Sequence, residues 1–318
     1  MKKIIWLILI IVVVGFLAKG WWDGQFESVS TDTTTQVFVI SKGAGVTEIA
    51  KSLKKDNLIK SDFAFKIYLK QNNLTDKLQA GSYKLSPSMT VKELIKALQT
   101  GSEDKWVTLI EGWRDEEIAA KLNEDLGIEK SEFLKNAKEG YMFPDTYLFP
   151  KEATVSYITD TLKKTFDNRY TSELRAKIRS KGLTEAQGVI LASIVEREGR
   201  SDKVRTEVAS ILLKRLKIGM GLNVDATIQY ALGYQKDEKS WWKRNLSLDD
   251  LKIDSSYNTY IHQGLPPTPI CNPGLSSLTA VANADSSTPY LYYYHDLKGN
   301  SYYAKTLEEH NANVANNL

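Results

Sequence analysis

The chain of 318 residues holds a single cysteine, Cys271, and only three histidines. One thiol cannot close an intramolecular disulfide, and it supplies no cysteine-based zinc cage. His262, His295 and His310 fall in no H-E-x-x-H or comparable ligand spacing, so neither a metal nor a cofactor is expected. An excess of one charge is also missing. The formal net charge of +3 is accounted for by Lys2, Lys3 and Lys19, and without them basic and acidic residues balance. Nucleic-acid binding needs clustered surplus Lys and Arg, so that class is excluded. With metal, thiol and cofactor chemistry set aside, acid–base work would rest on carboxylates.

One long uncharged run is present. After Met-Lys-Lys come fifteen residues, IIWLILIIVVVGFLA, from Ile4 to Ala18. As a helix at ~1.5 Å per residue this covers about 22 Å, short of the ~30 Å hydrocarbon core. Lys19 can snorkel, and Trp21 and Trp22 would lie in the far interface, which extends the span. The expectation is an uncleaved single-pass anchor over residues 1–22. Lys2 and Lys3 would stay on the cytoplasmic side and the remaining chain would lie outside the cell membrane. The competing expectation is a signal peptide cut near Ala18-Lys19-Gly20, a poor small-x-small site.

Beyond it, 23–35 reads as a linker, with the polar stretch SVSTDTTT at 28–35. A strand-like QVFVI (36–40), a glycine turn and an amphipathic helix VTEIAKSLKKD follow, with Ile49 and Leu53 one turn apart. Ser61 is set to cap a second helix, and Thr90 with Glu93 to box a third that Gly101 ends. A weak repeat shows at an offset of 69 residues: Gly43 with EIAKSL matches Gly112 with EIAAKL, each after a β-rich run. Two unrelated β–α units would give the same pattern. The first copy is similar to a LysM-type module, so 36–101 is taken as a LysM-like region and 102–318 as a larger domain. There, helices are expected around a loop at 139–150, then from Thr184 to Glu198 and over 207–219. A Pro-rich loop (264–274), a helix (276–284) and a hairpin of 290–296 with 301–305 close the chain. The fold class is α+β.

The candidate chemistry sits in LASIVEREGR (191–200). Val189 to Val195 are uncharged around the whole helix, which argues burial. Glu196 follows Ala192 by four residues and continues a buried face, where apolar walls would hold its carboxyl protonated as a general acid requires. Glu198, about 200° round the helix, is expected to reach solvent beside Arg197 and Arg200. The plain alternative for Glu196 is an ion pair with Arg197, Arg200 or Arg205.

LASIVEREGR, GYMFPDTY (140–147), KRLKIGMGLNVDATIQYALG (214–233), YNTYIHQGLPPTPICNPG (257–274) and TPYLYYY (288–294) occur in this order. Together with the anchor, they closely resemble the endolytic murein transglycosylases, the YceG-like family, over nearly the whole chain. The resemblance implies a single-pass membrane enzyme that cuts nascent peptidoglycan glycan strands internally. Its implied acid is Glu196, protonating the oxygen between N-acetylmuramic acid and N-acetylglucosamine. The muramyl C6 hydroxyl then attacks C1 and leaves a 1,6-anhydro end. Peptidoglycan strands, and through them peptidoglycan synthases, are the implied partners. Asn223, Asp225, Gln229, Tyr257 and Asn258 are the substrate-contact candidates. Asn258 could equally cap a turn and Tyr257 could belong to the core. Three positions depart from the family pattern: Lys214 for Asn, Asn223 for Gln and Ala226 for Pro. His262 matches no fixed family residue. Two other readings stay open: a lysozyme-like hydrolase using Asp225 or Glu139 as second carboxylate, and a non-catalytic wall-binding scaffold.

Overall fold

The computed structural model describes residues 2–41, 43–100, 104–150 and 153–317; the side chains of 2–8 and 10–12 lie outside that description. Helix α1 (Lys2–Asp23) opens the chain. Among the described residues no helix is long and apolar enough to cross a membrane. Most side chains of the run Ile4–Ala18, on which the expected anchor falls, lie outside the described residues.

Two compact units follow from the contacts: residues 1–106 with 148–152, and residues 107–147 with 153–318. In the first, β1 (Gln36–Ile40), α2 (Val46–Lys55), α3 (Asp62–Gln71), β2 (Gly81–Leu85) and α4 (Val91–Gln99) surround one small core. The strands pair antiparallel, Phe38 opposite Tyr83. Period-two alternation sends Phe38 and Ile40 inward and leaves Val37 and Val39 exposed. Ser61 caps α3 through Ala64 N–H, and Thr90 with Glu93 completes a capping box on α4, as their spacing requires. The expected free linker is partly tied down: Val29 and Ser30 N–H both donate to Pro87 O.

β3 (Lys105–Thr108), α5 (Asp115–Leu126), α6 (Lys130–Asn136) and β4 (Thr146–Phe149) repeat the strand–helix–helix–strand order of β1 to β2, and β3 and β4 likewise pair. The matched glycines are both left-handed, Gly43 at φ +85° and Gly112 at φ +79°. β4 corrects the reading of 139–150 as loop throughout. Beyond Pro144 the residues Tyr147, Leu148 and Phe149 favour a strand, and β3 offers it a partner.

The second unit is built on α9 (Glu185–Glu198), which packs against α8 (Ser172–Ser180), α10 (Asp202–Lys217), α11 (Asp225–Leu232) and α12 (Leu275–Asn283). Its Val189, Leu191, Ala192, Ile194 and Val195 are fully buried. Each such aliphatic side chain removed from water contributes roughly 1.5–3 kcal/mol, so the all-round apolar stretch anchors the unit. α8 approaches closely at Gly188, where a Cβ would meet Ile178 at 2.5 Å. α7 (Val155–Arg169) adds Phe166 to the same core. α10 starts five residues before the expected 207, because Ser201 caps it through Val204 N–H. Arg205 therefore lies in its first turn. The chain closes with the hairpin β5 (Tyr292–His295) and β6 (Ser301–Ala304), then α13 (Leu307–Asn316). Arg215 of α10 pins the hairpin: its Nε donates to Leu291 O at 2.7 Å and Nη1 to Leu222 O at 2.6 Å.

Candidate active site

α9 ends in two carboxylates, and they have opposite surroundings. The Glu196 side chain is buried, 4% exposed, but apolar walls do not hold it. Its Oε1 accepts from Arg205 Nη2 at 3.1 Å and its Oε2 from Gly274 N–H at 2.9 Å. Gly274 is glycine for a reason of space, since any Cβ there would run into the Glu111 carboxylate. Burial and the neighbouring Glu196 raise the pKa of Glu111, against the pull of Arg205. Glu196 is thus a buried ion-paired clamp between α10 and the end of the Pro-rich loop. The face is buried as its helical position implies, but its carboxylate oxygens meet a guanidinium and a backbone N–H where apolar walls were expected.

Glu198 has the desolvated surroundings that were expected around Glu196. Instead of open solvent it meets a cleft of about 470 Å³ lined by Asn223, Asp225, Tyr260, Tyr293 and His295, among others. Burial, and then the charge of Asp225, push its carboxyl up to about 7, while a hydrogen bond from Tyr293 and the charge of Arg197 pull the other way. Tyr293 sits on β5, 95 positions downstream, and burial lifts its own hydroxyl well above the usual tyrosine range. Asp225 opens α11 and accepts from Tyr260 Oη at 2.6 Å. Among the described residues, His295 Nε2 and His310 Nδ1 are buried without a hydrogen-bond partner, and both residues line the cleft. Burial lowers the pKa of both rings, so they are neutral groups able to donate or accept. A larger cavity of about 600 Å³, between the α8–α9 turn and Gly264–Pro266, carries lysines and apolar residues but no carboxylate.

The five substrate-contact candidates divide. Asn223 and Asp225 are exposed and line the cleft with Glu198. Asn223 holds a left-handed backbone, φ +49°, that only a few residue types tolerate. Gln229, Tyr257 and Asn258 serve the fold. Gln229 Nε2 donates to Lys243 O at 2.7 Å, and the Tyr257 hydroxyl bonds Thr268 Oγ1 while its ring packs on Tyr230. Asn258 is fully buried; its Nδ2 donates to Leu251 O and Ile253 O, and its Oδ1 accepts from Tyr260 N–H. Asn258→Ala should strip three hydrogen bonds from two turns. At ~1 kcal/mol per bond this costs roughly 3 kcal/mol, read as a lower thermal midpoint. An unchanged midpoint with a raised KM would return Asn258 to the substrate site.

Glu139, a candidate second carboxylate, lies elsewhere. It is buried beside Asp115, accepting from Asp115 N–H and from Asn272 Nδ2 at 3.0 Å. Desolvation raises both acids, Asp115 to about 6. Asp225 shares the cleft with Glu198. Lys214, at a position that departs from the family pattern, donates to Thr288 O at 2.6 Å. Tyr260, Tyr293, His295 and His310 were not picked out as site residues from the sequence. For Tyr260, Tyr293 and His295 the signal on offer was the aromatic density of YNTY (257–260) and YLYYYHD (290–296); His310 lies outside both stretches.

Known proteins resemble this chain over most of its length. The chain is 33% identical to the endolytic murein transglycosylase of Bacillus subtilis (strain 168), over 90% of this chain and 86% of that one. It is 30% identical to the endolytic murein transglycosylase of Streptococcus pneumoniae serotype 2, over 88% of this chain but 58% of that longer protein. A 2.6 Å crystal structure of a yceG-like protein from Listeria monocytogenes superimposes with a TM-score of 0.58 at 28% identity, covering 88% of this chain and 99% of that one. The YceG-like family model matches residues 38–316, and the chain belongs to that family.

Proposed function

We propose that this protein is a lytic transglycosylase that cuts peptidoglycan glycan strands internally, with Glu198 as its acid and base. One observation carries the assignment: a carboxyl pushed up to about 7 inside a polar, aromatic-lined cleft, with the neighbouring glutamate consumed by an ion pair. A carboxylic acid still protonated near neutral pH can protonate a glycosidic oxygen. The relatives named endolytic murein transglycosylase support the choice of strand.

In the reaction the Glu198 proton passes to the bridging oxygen as its bond to C1 of N-acetylmuramic acid breaks. Asp225, hydrogen-bonded by Tyr260, places its carboxyl oxygens where they favour the oxocarbenium-like charge that develops nearby. The C6 hydroxyl of the same sugar then closes on C1 and returns its proton to Glu198. The products are a 1,6-anhydro end and a free 4-hydroxyl, with no water consumed. An internal nucleophile replaces both a bound water and an enzyme nucleophile, so one acid suffices. The uncharged run Ile4–Ala18 supports anchoring in the cell membrane with the cleft on the outer side, within reach of nascent strands and their synthases.

Digestion of purified sacculi with mass analysis of the fragments tests the chemistry. Anhydro-muramyl ends are expected. Reducing ends would mean that Asp225 directs a water as in a hydrolase, and no cleavage would mean a wall-binding scaffold. The alkaline limb of kcat/KM should fall through about pH 7 as Glu198 loses its proton. A limb indifferent to pH between 6 and 8 would remove Glu198 from the role of acid.

A further inference from the structure

On the side of the second unit that carries α5, a short hairpin presents two consecutive tryptophans, and they are used differently. Gln235 and Ser240 exchange backbone hydrogen bonds at 2.7 and 3.3 Å, closing a tight loop in which Lys239 is left-handed. Trp242 is committed to the fold: Arg197 lies 3.8 Å over its ring, and its indole N–H donates to Glu117 at 3.1 Å. Trp241 is held but not enclosed. The buried Arg114 guanidinium lies 4.6 Å from its ring centroid, locked there by Glu116 and Tyr230 O, and Tyr234 meets it edge-on at 5.2 Å. Arg114 does not line the cavity of about 380 Å³ that Trp241 forms with Trp113, Tyr234, Lys121, Glu124 and Lys239. The ring is backed on the protein side and offered on the other.

We infer that this cavity is a second glycan-binding subsite, separate from the Glu198 cleft, in which Trp241 and Trp113 stack on pyranose faces of an N-acetylated strand. The lining selects among ligands. Three aromatic rings with almost no aliphatic floor suit the C–H faces of a sugar better than a lipid chain or an apolar helix. Glu117 and Glu124 balance Lys121 and Lys239, which disfavours a polyanion and suits neutral hydroxyl and acetamido groups. Arg197 joins the two sites mechanically, since it stacks on Trp242 from the same helical turn that carries Glu198. A strand held here would be retained between cuts. The choice of an N-acetylated sugar rests on the reading of the chain as a glycan-strand enzyme; the platform itself does not.

The test uses the full-length Glu198→Gln protein and two probes, a β-1,4-linked N-acetylglucosamine hexamer and a stem pentapeptide. Indole N–H signals of Trp113 and Trp241 are followed by NMR. The hexamer should shift both. Trp241→Ala in the same background should weaken the response at Trp113 by ~10-fold, a stacking loss of about 1.4 kcal/mol. Trp241→Tyr, which keeps a ring, should restore most of it and guards against a merely unfolded hairpin. Unmoved indoles, a response to the pentapeptide alone, or an unaltered titration in Trp241→Ala would each overturn the subsite. Activity surviving in Glu198→Gln would instead sink the acid assignment while leaving the indole response intact, so the two failures are distinct.

Discussion

Glu198→Gln is expected to lower kcat on glycan strands by roughly 10³-fold, the usual contribution of a positioned acid, and at pH 8 to raise the thermal midpoint. The second effect follows from the raised pKa, from the ordinary 4.5 to about 7. The fold prefers the neutral form, so below pH 4.5 both folded and unfolded chains hold the proton and nothing is lost. Between 4.5 and 7 the unfolded chain releases it first, and wild-type stability declines as pH rises. Above 7 the deficit is complete, at ~1.4 kcal/mol per pH unit about 3 kcal/mol. Glutamine never ionises and escapes it. At roughly 2–4 °C per kcal/mol for a unit of this size, the variant should melt about 6–12 °C higher at pH 8 and about level with wild type at pH 4. Calorimetry at the two pH values reads this directly. Equal midpoints at pH 8 would mean that Glu198 is not desolvated, and retained turnover would mean that it is not the acid.

The neighbouring position should behave in the opposite way. Glu196→Ala leaves the largely buried Arg205 with only the exposed Asp202 carboxylate at 3.5 Å and Gly274 N–H without an acceptor. Breaking a buried pair from one side costs ~3–5 kcal/mol, so the midpoint should fall by roughly 10 °C or more. Below that lowered midpoint the alkaline limb of kcat/KM should stay near pH 7. Glu196→Gln, which keeps an acceptor for Gly274, should lose less stability and is the variant to assay should the alanine chain fail to fold. Abolished cleavage in Glu196→Gln with an unshifted midpoint would give the chemistry back to Glu196.

The contrast shows where reading a sequence succeeds and where it stops. The burial of α9, the caps at Ser61 and Thr90, the repeat at Gly43 and Gly112 and the closing hairpin were all legible. Each rests on residues within about a turn or a strand of one another. The helical wheel also located the two glutamates correctly on opposite faces. What it lacked was the identity of the covering elements. Arg205 reaches Glu196 because Ser201 starts α10 early, and Tyr293 reaches Glu198 from a hairpin nearly a hundred residues on. Gln229, Tyr257 and Asn258 share motifs with true cleft residues, but their side chains turn toward backbone carbonyls and neighbouring rings. Such partners are set by tertiary packing, which no local spacing reveals.

The docking of β5 on α10 through Arg215 has a temporal consequence. During synthesis residues 196 and 198 leave the ribosome long before Tyr293 does, so until that hairpin folds back the cleft around Glu198 lacks its β5 wall. A nascent or clipped chain ending before the hairpin would thus lack a complete cleft, because the last strands to be made are the ones that close it.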